Sequence, residues 1–559
     1  MRKKTTVAAA LCAAGALGLA ACGSSSPSTT SPSTTTSSTL VMESSPTGPV
    51  SRDFNPFSST SADNLLGATN MIYEPLLQFD LLKSPATDYP WLATNYAWSN
   101  SGKTITFTIR SGVKFTDGET FTASMAAWEF NLLKANAAIN TDGLPLAGAT
   151  APNATTLVVN FTTPVYTDLY YIADTPMIPE GIWSKVGNPA TYPDTNPVGT
   201  GPYELSSFSA SAGVFLTRNP HYWQGEPKVA KLEFPEYDSN TDANLALEQD
   251  QLDWAGNFVQ NIKTAWVDKD PSTDKYWDFG LQTETLIPNL TTFPMNQLAV
   301  REAVSYGVNR QIISSVGEDT QQPPVQGAGS LTGITLPLDQ SYVTPATSGY
   351  VATYDPAKAK SILEAAGWKM GSNGYFQKGG KTLAFSITDP SAYTDFITDD
   401  QIMASELKSV GMDVTVNGTS VQAWTTDLQT GNFQAIAHWG NGGTSPYYLY
   451  DNWLDTDLTA PIGKVATGDY ERYYNTTAEA DLKSFAATTN TATQLSDVVS
   501  MEKIVATDLP VIPLFYGVAW FEYNTSKFTG WPSPSDPYAP GEPTVPFDEI
   551  TVLHLAPAK

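Results

Sequence analysis

The chain is poor in the residues that form covalent cross-links and metal centres. Only two of its 559 residues are cysteine and three are histidine. His221, His438 and His554 lie far apart, without cysteine or histidine at ligand spacing, so we expect no metal centre and no cofactor. The sequence also lacks a phosphate loop, a nucleotide-binding glycine pattern and a nucleophile elbow, so it offers no motif for phosphate chemistry or for nucleophilic catalysis.

Positive charge is scarce as well. Lysine and arginine number 30 against 56 acidic residues, which gives a formal net charge of −26 at pH 7. Nucleic acid and anionic lipid headgroups are poor partners for such a surface. Charged residues make up only 15% of the chain, which contains 14 Trp, 26 Tyr and 23 Phe. An aromatic-rich, charge-poor protein suits an uncharged ligand.

The N-terminus has the layout of a secretory signal peptide. Basic residues at positions 2–4 precede an apolar run, Thr5–Ala21, that is shorter than the roughly 20 residues of a membrane-spanning helix. The run ends in Leu19-Ala-Ala-Cys22, which resembles the bacterial lipobox, where the cysteine is acylated and becomes the new N-terminus. We therefore predict a signal peptide at residues 1–21 and lipid anchoring through Cys22 at the outer face of the cytoplasmic membrane.

The segment after Cys22 is a predicted tether. Residues 22–38 are rich in Ser, Thr and Pro and carry no charged side chain, so they cannot bury enough surface to fold. Because Cys12 leaves with the signal peptide, no disulfide is expected in the folded part.

The body of the chain mixes strand and helix patterns without an internal repeat, which indicates an α/β protein. Residues 104–109 alternate polar and apolar side chains, as a half-buried strand does. Asp355-Pro356 predicts a helix start and Gly367 its end. Thr398 with Gln401 predicts a capping box for a second helix that Gly411 ends.

Several stretches together resemble the family 5 extracytoplasmic solute-binding proteins, which bind peptides, nickel or oligosaccharides for ABC importers. They occur in order along most of the chain, and the most specific pair is Asn196–Tyr203 with Arg218–Gly225. The others are Asp53–Phe57, Ile72–Leu76, Phe107–Gly118, Val300–Val304 with Asn309-Arg310, and Tyr354–Lys360 with Ala366–Trp368.

The resemblance implies a type II periplasmic-binding-protein-like α/β fold of the cluster C type, with two lobes around a cleft. Lobe one would comprise residues 39–80, 195–292 and 510–559, with an extra subdomain at 81–194, and lobe two residues 293–509. Proline-bearing crossings are expected near residues 292–294 and 510–513. The implied protein is a monomer and not an enzyme, its partners are the permease subunits of the importer, and it meets the membrane through its lipid anchor only.

The resemblance also directs the choice of ligand. Peptide binders of the family carry an acidic residue where this chain has Gly442, and a buried ammonium without a counter-charge is costly. The neighbouring aromatic loops resemble the oligosaccharide, cellobiose-type branch, in which sugar faces stack on rings. We therefore predict an uncharged oligosaccharide such as a β-linked glucoside. The predicted contacts are Trp439, Asn441, Tyr447, Tyr448 and Trp531, with Phe54 and Asn55 at the cleft border.

Three alternatives remain open from the sequence. An oligopeptide could replace the oligosaccharide as the ligand. A secreted glycoside hydrolase is a second possibility, because 56 acidic residues always allow a pair to be proposed as acid and base. A purely structural surface lipoprotein is the third, but it leaves the aromatic loops unexplained.

Overall fold

A computed structural model describes residues 39–544 and 546–559. The predicted signal peptide, the acylation site Cys22 and the whole tether lie outside the described residues. Across the described part, no helix combines the length and the hydropathy needed to cross a membrane.

The secondary structure is mixed along the whole described chain. The strands are β1 (Thr39–Glu43), β2 (Leu77–Asp80), β3 (Thr87–Pro90), β4 (Ala93–Ser99), β5 (Thr104–Ile109), β6 (Leu146–Asn153), β7 (Thr156–Phe161), β8 (Tyr203–Ser209), β9 (Gly213–Arg218), β10 (Lys231–Phe234), β11 (Trp254–Ala255), β12 (Asp274–Tyr276), β13 (Phe279–Pro288), β14 (Lys369–Met370), β15 (Phe376–Lys378), β16 (Lys381–Thr382), β17 (Ala384–Pro390), β18 (Asp413–Thr419), β19 (Ala435–Trp439), β20 (Ile512–Ala519), β21 (Glu522–Asn524), β22 (Phe528–Thr529) and β23 (Ala556–Pro557). The α-helices are α1 (Ala62–Leu65), α2 (Thr69–Ile72), α3 (Ala123–Ala135), α4 (Leu169–Asp174), α5 (Glu180–Trp183), α6 (Asn240–Glu248), α7 (Leu298–Gly307), α8 (Arg310–Ile312), α9 (Pro356–Ala365), α10 (Thr394–Val410), α11 (Val421–Thr430), α12 (Tyr447–Leu454), α13 (Thr476–Ala486), α14 (Thr491–Asp508) and α15 (Asp548–His554).

Two large sheets form the framework. A seven-stranded sheet has the order β12-β21-β11-β1-β10-β9-β8, in which β1 runs parallel to β10 and β11. A five-stranded sheet has the order β18-β17-β19-β13-β20, in which β17 runs parallel to β18 and β19. Each sheet packs a core of its own, around Leu40 and Trp254 in the first and around Ile387 and Leu407 in the second. The predicted mixed α/β architecture with two sheet-based lobes is confirmed.

The crossings between the two sheets lie elsewhere than the sequence predicts. Strand β12 belongs to the seven-stranded sheet and β13 to the five-stranded one, so the first crossing is at residues 277–278. The second, between β20 and β21, is at residues 520–521. Pro513, which we expected at a hinge, lies inside β20 beside a register shift against β13, where a missing N–H is tolerated. Strand pairing therefore places residues 279–288 and 512–519 with the second sheet.

The extra subdomain has its own sheet, in the order β4-β5-β7-β6, with α3 packed against it. Strand β5 covers the predicted residues 104–109. The side chain of Asp355 caps α9 as predicted, by accepting from the Lys358 N–H. Helix α10 begins at Thr394, and its N-cap, Tyr393, lies five residues before the predicted cap Thr398. Thr398 lies inside the helix and donates its hydroxyl proton to the Thr394 carbonyl.

The most specific sequence motifs have structural roles. Gly199 and Gly201 pass so close to α2 that a Cβ on Gly199 would lie 1.8 Å from the Ile72 carbonyl oxygen. The Tyr222 hydroxyl and the Trp223 indole both donate to the buried Glu74 carboxyl, at 2.7 and 2.9 Å. These residues identify the fold without contacting a ligand site.

Candidate functional site

A cavity of about 1220 Å³ lies between the two sheets. The segments that follow β1 and β11 of one sheet and β19 of the other line it, as do the first residues of α10 and α11. Ligands of open α/β sheets bind beyond the carboxyl ends of parallel strands, at the position this cavity occupies. The extra subdomain closes one side with residues 133–144 and 170–176.

Aromatic rings form the cavity wall contributed by the second sheet. Trp439 ends β19 and stacks on His438, with ring centroids 4.4 Å apart, and His438 stacks in turn on Trp424 at 5.2 Å. The Trp424 indole donates to Asp389 at 2.9 Å, which fixes its ring. Burial lowers the pKa of His438 to about 4, so this ring is neutral at physiological pH.

The facing wall also carries rings. Phe258 and Trp520 meet edge to face with centroids 5.8 Å apart, and Phe57 follows from the loop after β1. Tyr170 and Tyr171 of α4 add two rings from the extra subdomain. A flat apolar ligand therefore meets aromatic surface on more than one side.

The structure brings two of the predicted contacts to the cavity. Trp439 and Asn441 line it, and both are partly exposed. Tyr447 and Tyr448 lie on α12 and are only 5% and 0% exposed, packed behind the wall. The two tyrosines therefore support the wall and do not line the cavity.

The other three predicted contacts lie in the core of lobe one. Trp531 is 7% exposed and packs on Trp254 at 5.5 Å, while its indole donates to the Phe528 carbonyl. The proline-rich loop that carries Trp531 folds over the core instead of reaching the cavity. Phe54 is 0% exposed, and the Asn55 amide donates to two backbone carbonyl oxygens, at 2.8 and 2.9 Å. The amide therefore has no donor left for a ligand.

The charged residues of the cavity wall are all acidic. Gly442 lines the cavity without a carboxylate, as the sequence indicates, but five acidic side chains from other segments line it and were missed. They are Asp142, Asp174, Glu284, Asp395 and Glu542. Burial raises the pKa values of Asp174, Asp395 and Glu542 to about 8, and it holds that of Glu284 well above its usual range. Across the described residues, no lysine or arginine lines this wall.

Hydrogen bonds join the two lobes at the cavity rim. The hydroxyls of Ser45 and Tyr393 are 3.0 Å apart, and the Gln422 amide donates to the Thr47 carbonyl at 2.8 Å. The Gln429 amide donates to the Ser59 hydroxyl at 3.1 Å. These bonds hold the lobes in a closed arrangement.

Metal-ligating side chains are not clustered in the part of the chain that the structure describes. Between residues 39 and 559, leaving out 545, no group of three or more His, Cys, Asp and Glu side chains is arranged to hold an ion.

The two lobes enclose an aromatic cavity at the ends of their strands. This architecture is that of a two-lobed binding protein. The chain belongs to the bacterial extracellular solute-binding proteins of family 5, whose model matches residues 88–459.

Sequence relatives support the same family. The nickel-binding periplasmic protein of Escherichia coli is 28% identical over 391 residues, which cover 67% of this chain and 72% of that protein. The glutathione-binding protein GsiB of Salmonella typhi is 29% identical over 292 residues, which cover 50% of this chain and 53% of the relative. The chain thus spans only about half of the second relative.

Solved structures share the fold over almost the whole chain. A periplasmic oligopeptide-binding protein of Thermotoga maritima with bound mannohexaose superposes with a TM-score of 0.85 at 23% identity, over 93% of this chain and 99% of that one. The oligopeptide-binding protein AppA of Bacillus subtilis, in complex with a nonapeptide, gives 0.78 at 19% identity, over the same shares of the two chains. One fold therefore accommodates ligands of different chemistry.

Proposed function

We propose that this chain is the exported, lipid-anchored binding protein of an ABC importer, and that it captures an uncharged oligosaccharide such as a β-linked glucoside. The cavity between the lobes is the proposed binding site. Its aromatic lining is the observation that carries the proposal.

Ring stacking explains the choice of a sugar. The apolar faces of pyranose rings pack on aromatic side chains, while hydroxyl groups need partners that both donate and accept. Trp439, Trp424 and Trp520 supply rings around the cavity, and Asn441 and Gln282 supply amides. The fold of the Thermotoga protein holds a hexasaccharide, so an oligosaccharide is compatible with this architecture.

The charge of the lining bears on the peptide alternative. A peptide brings a terminal carboxylate, and no cationic side chain of the described residues lines the cavity to receive it. A buried carboxylate without a partner is costly, so peptides with free C-termini should bind weakly. The acidic side chains of the wall could still accept a peptide ammonium, which keeps peptides in the test.

Ligand panels test this proposal. Thermal shift with gluco-, manno- and xylo-oligosaccharides and with short peptides should show stabilisation by a sugar, about 2.7 kcal/mol at a ligand concentration of 100 times its dissociation constant. Product analysis after incubation separates a binder from a glycoside hydrolase, because only the hydrolase shortens the sugar. Stabilisation by peptides alone would overturn the choice of ligand.

The anchor is a separate part of the proposal and depends on Cys22. A Cys22→Ser variant should appear in the medium or remain unprocessed, whereas the wild-type chain should partition into detergent. A processed variant that still partitions into detergent would contradict acylation. Residues 39–559 would fold in either case, because the predicted tether precedes the first strand.

A further inference from the structure

One end of the cavity gathers carboxyl groups from three distant segments. Glu284 comes from β13, Asp395 from the first turn of α10, and Glu542 from the C-terminal segment. Glu284 and Asp395 are each only 5% exposed. Glu284, Asp395 and Glu542 all line the same cavity, and Glu284 interacts electrostatically with the other two and with Glu318.

A buried amide at the same end has no partner. Asn257 lines the cavity and is 3% exposed, and neither its Oδ1 nor its Nδ2 forms a hydrogen bond within the described chain. Its neighbour Gly256 packs against Pro543, which follows Glu542. A buried amide without a partner costs free energy, so this position favours a ligand that can satisfy it.

Amides and one further buried carboxyl, Glu318, adjoin these groups from the protein. The Asn240 amide donates to Asp395 at 3.2 Å, and the Gln322 amide donates to Glu318, behind Glu284, at 2.9 Å. No lysine or arginine among the described residues lines the cavity. The carboxyls therefore have no cationic partner from the protein on the cavity wall.

We propose that this acidic end, formed by Glu284, Asp395, Glu542 and Asn257, binds a protonated amino group of the ligand. This inference rests on the proposed binding of an oligosaccharide, and it replaces the uncharged sugar by an amino-sugar oligosaccharide, of which glucosamine oligomers are the simplest. An ammonium group offers three donors, which ionised carboxylates and the Asn257 carbonyl oxygen accept.

Three β-1,4-linked trimers that differ only at C2 test the inference. They carry a hydroxyl (cellotriose), an ammonium (the glucosamine trimer) or an acetamide (the N-acetylglucosamine trimer). At pH 7 the ammonium trimer should bind at least about tenfold more tightly than cellotriose, the size expected of charge-assisted hydrogen bonds. Because burial raises the pKa of Glu542 to about 8, binding an ammonium should also release a proton, seen calorimetrically as a heat that varies with the buffer.

A matched pair of variants locates the effect. Glu542→Gln should abolish most of the preference for the ammonium trimer. Glu364→Gln, which removes the same charge from an exposed position on α9, should retain it. If Glu542→Gln melts far below the wild type, Glu284→Gln replaces it in the same titration.

The outcomes separate this inference from the proposed function. Binding of cellotriose as tightly as the ammonium trimer, or an unchanged preference in folded Glu542→Gln, overturns the acidic end while oligosaccharide binding stands. Failure of all three trimers and of the wider sugar panel overturns both. Binding of the ammonium trimer alone supports the acidic end and narrows the function to amino sugars.

Discussion

Replacing Trp531 by alanine should destabilise the ligand-free protein, because this indole is part of the lobe-one core. It is 7% exposed and contacts Trp254, Phe521 and Tyr523 with centroids 5.3 to 6.2 Å apart. Truncating a buried tryptophan typically costs about 3 to 5 kcal/mol. With an unfolding entropy of about 2.1 cal/mol/K per residue over roughly 520 residues, the melting temperature should fall by about 3 to 5 °C.

Trp439→Ala should have the opposite profile. This indole lines the cavity and is partly exposed, so its truncation removes a stacking surface for the ligand more than it removes core packing. Loss of a central aromatic contact costs about 2 kcal/mol, or roughly a thirtyfold weaker affinity. Trp439→Phe retains a ring and should lose less.

Calorimetric titration and melting curves of the two alanine variants give the decisive comparison. The reasoning requires weak binding with near-normal melting for Trp439→Ala, and near-normal binding with early melting for Trp531→Ala. If Trp531→Ala melted normally but lost sugar affinity, the loop would have to reach the ligand in solution, and the cavity described above would be incomplete.

Further predictions concern pH, packing and closure. Burial raises the pKa of Glu43 from 4.5 to about 8, so the folded chain binds the extra proton. The protonated Glu43 carboxyl contributes its full stabilisation of the folded protein below about pH 4.5, and this contribution is lost as the pH rises through 8. The melting temperature should therefore be higher at pH 6 than at pH 9. The reverse trend would contradict the raised pKa. Gly199→Ala should prevent stable folding, because the new Cβ would clash with a backbone carbonyl. Gly187→Ala is the control and should melt like the wild type, because the space around Gly187 is open. Melting curves followed by circular dichroism compare the two variants. Gln422→Ala removes the hydrogen bond to Thr47 across the cavity rim. It should weaken sugar binding about fivefold, by about 1 kcal/mol, and enlarge the radius of gyration in small-angle scattering. An unchanged scattering profile would show that this hydrogen bond does not help to close the lobes.

Local patterns in the sequence predicted the elements that local chemistry determines. Strand β5 follows from alternation, and the start of α9 from an aspartate cap before proline. The start of α10 did not follow, because Thr398 can serve either as a cap or as an internal residue bonded to the preceding turn. The crossings were misplaced for a similar reason, since Pro513 fits a strand beside a register shift as well as a hinge.

The site was harder to predict because burial depends on distant residues. The loop around Trp531 is rich in proline and looks exposed, yet a core from other segments receives its indole. Glu284, Asp395 and Glu542 come together from positions more than 100 residues apart, with no shared motif. By contrast, Trp439 ends β19 and Asn441 follows two residues later, and the ends of strands are where ligands of such sheets are found.

Hydrogen bonds within the protein hold the aromatic wall in place. Asp389, at the end of β17, accepts hydrogen bonds from the Trp424 indole and from the Ala437 amide, at 2.9 and 3.1 Å. One buried carboxyl thus ties α11 to β19, the two elements that present Trp424 and Trp439. Rings fixed in this way lose little conformational entropy when a ligand stacks on them, so more of the stacking free energy contributes to affinity.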